Sequence, residues 1–306
     1  MAATTTTVTS TPFTDIGVIN EVAGTPCTPG WSPPPGPSPG PGYTPPLDDY
    51  SNAAAAYSVR LLRTAYSGSA LRVRRTVAPF DEQDIGFTAG GDLDEAAIVA
   101  FGGSDVLTVS GWYDQSGQSN DATQITPGAQ PEIYNGTAVI TENGKPALNW
   151  DALNRLDTGN IVTDDLTASI VCRKETSTVV AALFSIQTGF NNGYELIYVP
   201  TNSLSYRVTS SDLDTTLTQE VQSIVFVSYD GSTQQSATNG TNSTKSSTQS
   251  FTLSHNLNIG SRVQGGTNQL WRGTMQEFII YANATYADTT NRTGIETNIM
   301  TYYNIP

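Results

Sequence analysis

The chain has 306 residues, enough for one or two domains with a substantial core. Only 14% of residues are charged, against about 25% in an average soluble domain, and the net charge is −14. That balance disfavours nucleic acid and anionic membranes as general partners, since both are polyanions. One histidine, His255, and two cysteines, Cys27 and Cys172, exclude a His-rich metal site and a disulfide scaffold. The rest is rich in Thr, Ser, Asn, Gln and Gly, a composition suited to strands and turns.

In chain order, residues 1–24 read as an anchoring segment. Phe13, Ile16, Val18, Ile19 and Val22 form an apolar patch too small to fold alone. Met1–Ser10 has neither the basic n-region nor the apolar core of a secretory signal, so standard secretion is not expected. Residues 25–46 carry PPPGPSPGPG and read as an extended Pro/Gly-rich linker, because proline fixes φ and removes the N–H donor. Residues 47–306 read as one domain. Asp48–Arg63 opens with acids and an alanine run and predicts a helix. Ala70–Val77 alternates Leu71 and Val73 with Arg72 and Arg74 and predicts a strand. Asp92–Phe101, stopped by Gly102 and Gly103, predicts a second helix, and Val106–Tyr113 another strand. Short strands then follow from Glu132–Tyr134 through Leu166–Arg173, Gln222–Tyr229 and Gly273–Tyr281, before a last helix over Asp288–Tyr303. Many short strands punctuated by turn residues predict a mostly β jelly-roll sandwich.

The polar turn after the strand at Val106–Tyr113 offers candidate ligands. Asp114, Gln115 and Asn120 carry oxygens and amides suited to a sugar or to calcium. The competing reading is a structural turn, with Asp114 and Asn120 bonded to backbone N–H groups. Calcium is the one cofactor candidate, and no resident metal is expected. Trp271 is the candidate stacking platform for a sugar ring; with Trp112 and Trp150 it reads equally as core. Arg60, Arg63, Arg72, Arg74 and Arg75 cluster in sequence and are expected to pair with acids such as Asp81, Glu82 and Asp84. Cys27 and Cys172 are expected as free thiols.

Three segments together carry a resemblance: AYSVRLLRTAYSGSALRVRR (56–75), QDIGFTAGGDLDEAAIVAF (83–101) and WYDQSGQSNDATQ (112–124). In this order they resemble the catalytic-domain family of fungal α-L-arabinofuranosidase B, and also domains of tailed-phage virion proteins. The C-terminal LNIG, WRG and QEFIIY stretches resemble the end of a laminin-G or concanavalin A-like sandwich. The resemblance implies that fold. The fungal enzymes carry an adjacent cysteine pair at the sugar pocket, and this chain has none. Glu195, Glu220 and Asp230 are not matched to the family's catalytic positions, so no catalytic residue is carried over. The expectation is therefore a virion surface protein of a tailed phage, a head decoration or a fibre. Residues 1–24 would anchor it to capsid or tail proteins, and a lectin-like domain would be displayed for surface glycans, in a homo-oligomer such as a trimer with no membrane insertion. The alternatives are an arabinofuranosidase-type glycoside hydrolase, which would be a retaining one, and a stand-alone carbohydrate-binding module.

Overall fold

The computed structural model describes residues 44–306, apart from 190–191, 201, 250–252 and 265–266. The proposed anchor residues Phe13, Ile16, Val18, Ile19 and Val22, the linker to residue 43 and Cys27 lie outside the described residues. From residue 44 onward the chain is mostly strand, in the jelly-roll sandwich that the sequence predicts.

The first expected helix is corrected. Only Pro46–Asp49 is helical, one turn with proline at its start, and Asn52 turns the backbone left-handed at φ 65°. Ala55–Ser58 is instead a fully buried strand that pairs antiparallel with Glu277–Ile280. Alanine's helix preference is worth only tenths of a kcal/mol per residue. Here the small side chains let the backbone lie flat inside the core, and tertiary pairing wins.

The strand Arg272–Tyr281 is the hub. One edge pairs along its length with Leu166–Lys174; the other meets Leu148–Asp151 and then Ala55–Ser58. The ladder shifts register between Val171 and Cys172, beside Gln276. Gln276 Nε2 donates to the carbonyls of Glu142, Lys145 and Pro146, so the irregularity is satisfied by side-chain bonds. From the hub the ladder runs one way through Gln222–Tyr229 and Thr233–Thr238 to Thr241–Ser246. It runs the other way through Glu132–Asn135, Val106–Trp112, the short strand Ala122–Thr123, Leu156–Thr163, Leu253–Ile259, Ala181–Gly189, Asn192–Val199 and Ser203–Val208 to Ser211–Thr216. The two end strands approach each other, with Lys245 Nζ donating to the Asp212 carbonyl at 2.8 Å. The sheet thus folds over itself into a nearly closed sandwich.

The core between the layers is built from Trp112, Trp150, Phe184, Phe278 and a run of Leu, Ile and Val. Gly260 shows how tight it is: its φ is +74°, and a Cβ there would sit 2.5 Å from the Trp150 ring. Two helices pack against the sandwich. Glu95–Gly102 is capped by Asp94, whose side chain accepts from Ala97 N, and Thr289–Tyr303 by Asp288, which accepts from Thr290 N and Asn291 N. Among the described residues no helix is long and apolar enough to cross a membrane.

Candidate functional site

Two adjoining clefts open beside the strand Val106–Trp112. The first, about 510 Å³, is bounded by Arg63, Tyr66, Asp84, Tyr113, Asp114 and Asp121. The second, about 490 Å³, is bounded by Arg72, Arg74, Glu82, Tyr113, Asp121 and Ile125. Tyr113 and Asp121 belong to both, so the clefts form one groove divided by a pillar. The pillar is a hydrogen-bonded set. Arg72 meets the Asp84 carboxylate through Nε at 2.8 Å and Nη2 at 3.1 Å, and Tyr113 Oη donates to it at 2.7 Å. Arg72 and Asp84 face each other across paired strands, Leu71–Arg75 and Glu82–Ile85, which fixes the geometry. The Arg72 guanidinium holds the Asp84 carboxyl below its usual range. Burial, and then the Asp84 hydrogen bond, push the Tyr113 phenol up to about 12. At neutral pH the pillar therefore presents an ionised carboxylate and a protonated phenol.

The predicted polar turn sits against this groove, with its ligand-type atoms turned inward. Asp114 is 4% exposed. Its Oδ1 accepts from Ala56 N and Ser116 N, and its Oδ2 from Ser116 Oγ and Asn120 N, at 2.7–3.0 Å. Gln115 is buried; its Oε1 accepts from Leu62 N and its Nε2 donates to the Arg60 carbonyl. Asn120 Nδ2 donates to the Ala54 carbonyl, and its own carbonyl takes the Tyr57 hydroxyl proton. These bonds stitch the turn to the buried strand Ala55–Ser58. Trp271 has no exposed surface, and the Lys174 ammonium lies 5.5 Å from its ring. In this conformation that ring offers no face to a sugar. No group of three His, Cys, Asp or Glu side chains placed to hold a metal ion occurs among the described residues.

The basic cluster divides. Arg72 pairs with Asp84 as the sequence suggests, while Arg75 reaches Asp105 at 2.6 Å. Arg60 is wholly buried and forms a two-pronged pair with Glu277 at 2.6 and 2.8 Å. Ser58 Oγ and Tyr303 Oη donate to the same carboxylate. Sequence reasoning missed this pair, since the partners lie 217 residues apart.

The three unmatched acids are also accounted for. Glu195 is buried between the guanidinium groups of Arg262 and Arg207, and Arg207 clasps Asp212 with Nε at 2.6 Å and Nη2 at 3.0 Å. Glu220 accepts from Thr176 N and Oγ1 and pairs with Arg173; those bonds, led by the Thr176 N–H, hold its carboxyl low. Asp230 closes a turn by accepting from Ser232 N and Thr233 N. The carboxyls that burial pushes up are elsewhere, at Glu132, Glu142, Asp157, Asp165 and Glu296, and none of them lines either cleft.

Comparison with known proteins bears on this geometry. Residues 48–147 match the family model for the catalytic domain of α-L-arabinofuranosidase B. Among solved structures, an arabinofuranosidase complexed with arabinofuranosyl-α-1,2-xylobiose aligns with a TM-score of 0.64 at 18% identity, over 84% of this chain and 64% of that one. A mutant GH54 α-L-arabinofuranosidase soaked with 4-nitrophenyl α-L-arabinofuranoside aligns with a TM-score of 0.64 at 17% identity, over 84% and 65%. The same enzyme type with a cyclic sulfate inhibitor gives 0.63 at 16%, again over 84% and 65%. This chain thus spans a little under two thirds of the length of these structures. A search of curated proteins finds no match. These findings correct the expectation of a phage virion component: the likeness in sequence and in fold is to arabinofuranosidase domains, the reading first held as the alternative. The fold is the sandwich of those enzymes, and a third of the chain carries their catalytic-domain sequence pattern.

Proposed function

We propose that this chain is a carbohydrate-active domain of the arabinofuranosidase type, hydrolysing α-L-arabinofuranosides. One observation carries the reading. Every residue bounding the paired clefts lies between Arg63 and Gln130, inside the segment that matches the catalytic-domain family. A groove of this size, edged by carboxylates, guanidinium groups and two tyrosines, suits a furanose and its neighbouring sugar, whose hydroxyls need both donors and acceptors. The ionised Asp84 is held in the form a nucleophile or base requires.

A second reading, glycan binding without turnover, has its own support. A retaining glycosidase needs a second carboxyl held protonated as general acid, about 5–5.5 Å from the nucleophile. The carboxyls with raised pKa lie outside both clefts. Release of nitrophenol from an aryl α-L-arabinofuranoside separates the two. Turnover that falls at least a hundredfold in Asp84→Asn supports hydrolysis at this groove. Retardation in an arabinoxylan gel with no turnover supports binding alone. Neither turnover nor retardation overturns both.

A further inference from the structure

Thr44, the first described residue, is fastened into a groove. Asn298 Nδ2 donates to the Thr44 carbonyl at 2.8 Å, and Asn298 Oδ1 accepts from the buried Arg60 Nη1 at 3.1 Å. The turn that follows is fixed as well. Leu47 is buried and its N–H donates to the Leu62 carbonyl, while Asp48 accepts from Thr64 N and Oγ1. The groove measures about 810 Å³ and follows one face of the helix Thr289–Tyr303. Thr293, Thr297 and Thr301 recur along it at the four-residue spacing that keeps side chains on one helix face. Asp49, Lys145 and Asn304 border it.

The anchored turn gives the preceding chain a direction. A Cβ on Gly294 would collide with the Tyr50 hydroxyl, so the turn Pro46–Asp49 leads from Asn298 toward the Gly294 end of the groove. A chain that does not double back reaches Thr44 from the opposite end, past Thr301, Lys145 and Asn304. Asn298 and Asn304 are six residues apart, about 9 Å along a helix. Three residues of extended proline-rich chain cover that distance at about 3.1 Å each. The segment Pro39–Tyr43, PGPGY, is therefore long enough for this half of the groove. Its hydrogen-bonding balance matches too. Pro39 and Pro41 have no N–H, so the segment has a surplus of carbonyl acceptors. The groove offers donors in the exposed Thr297 and Thr301 hydroxyls and in the Lys145 ammonium, which spends one of its three N–H groups on Asp92 at 3.0 Å. The threonine methyls give the pyrrolidine rings apolar contact.

We infer that Pro39–Tyr43 docks along the C-terminal half of the helix Thr289–Tyr303 as an extended strap, a proline-rich ligand that the chain supplies to itself. Attachment at Thr44 makes the contact intramolecular, at an effective concentration of about millimolar, so a weak contact suffices. The strap shortens the free part of the Pro/Gly-rich linker. It is independent of the hydrolase reading and of the paired clefts.

The test is disulfide trapping in the full chain carrying Cys27→Ser; Cys172 is buried and stays out of the exchange. Gly40→Cys is combined with Asn304→Cys at one end of the groove or with Thr293→Cys at the other. Both helix-side positions are exposed and lie at similar distances from Asn298, so an undocked arm would reach them alike. After mild oxidation at low protein concentration, mass spectrometry of unreduced digests should find the link between positions 40 and 304 about tenfold more abundant than that between 40 and 293. Adding Pro39→Ser/Pro41→Ser restores two N–H groups and loosens the chain, and should cut the 40–304 yield at least threefold. Equal yields at the two ends, an excess at 293, no link at either, or a yield unchanged by the serine pair overturns the strap. Links formed between chains and rising with protein concentration also overturn it, since the groove would then receive a second copy.

Discussion

Replacing Asp114 separates a group that binds ligand from one that holds the chain together. Its carboxylate accepts three backbone N–H groups and one hydroxyl, linking the turn at 114–121 to the buried strand Ala55–Ser58. Asp114→Ala leaves all four donors without that acceptor. A stranded buried donor costs about 1–3 kcal/mol. Only the bond to Asn120 is partly buried and regains part of that from water, so the three buried donors bring the sum to at least about 3 kcal/mol. That is a large share of a total stability of about 5–15 kcal/mol. Asp114→Asn keeps one oxygen for Ala56 and Ser116 but turns an amide N–H₂ toward Asn120 N, and should cost about half as much. Urea unfolding followed by tryptophan fluorescence measures both, with an unchanged slope confirming that the unfolded states are comparable. If both variants unfold within about 0.5 kcal/mol of wild type, the structural account is refuted. If Asp114→Asn stays stable but loses retardation in an arabinoxylan gel, the carboxylate belongs to the ligand.

Four further outcomes follow from the same geometry. Arg60→Met strands the buried Glu277 carboxylate and should cost about 3–5 kcal/mol, more than Arg60→Met/Glu277→Met together, by urea unfolding. Burial raises the Glu296 carboxyl, with Arg292 at 3.9 Å offsetting part of the shift. The unfolded chain therefore releases that proton first as pH rises past about 4.3, stability falls until the folded-state pKa is passed, and the deficit then persists. Glu296→Gln should accordingly be more stable than wild type at pH 7 and equal to it at pH 3.5, and a stability gain at both pH values would contradict this. Burial pushes the Cys172 thiol up to about 12, so site-resolved mass spectrometry should find it unlabelled by a thiol reagent in buffer and labelled in guanidinium chloride. Tyr113→Phe removes one donor from Asp84 and should raise the pKa of that carboxyl, moving the acid limb of any turnover profile to higher pH while leaving stability within about 1 kcal/mol.

How much of this could be read in the sequence depended on whether each signal was local. Gln222–Tyr229 carries the continuous apolar run Ile224–Val227 of a fully buried strand and is one, and Asp94 and Asp288 cap helices where the acids suggested starts. The misread Asp48–Arg63 shows the limit: composition favoured a helix, but the pairing partner of Ala55–Ser58 lies more than two hundred residues away. Leu156–Thr163 carries a weak strand signal, since Gly159 and Asn160 interrupt it, and the ladder is irregular there as well. Thr241–Ser246 has no alternation to detect, since it is an end strand exposed on both faces. At the site, the Arg72–Asp84 pairing could be anticipated from the outward position of Arg72 on its alternating strand and the acids that follow it. The joining of Arg63, Tyr113 and Ile125 into one groove could not, because it depends on how the sheet curls.

The residues most recognisable in sequence are also those most fully spent on folding. Asp114, Gln115 and Arg60 all lie in the matching segment, and each is buried with its polar atoms bonded to the chain itself. A motif built from such residues reports how the first strands close onto the hub, and the same closure serves any chemistry the sandwich displays. The groups left facing the groove are Asp84, Tyr113, Asp121 and Ile125. Exchanging groove residues while leaving Asp114 and Gln115 intact should therefore change glycan preference with the unfolding midpoint preserved. Exchanging Gln115 should lower the midpoint, with preference unchanged in the molecules that remain folded.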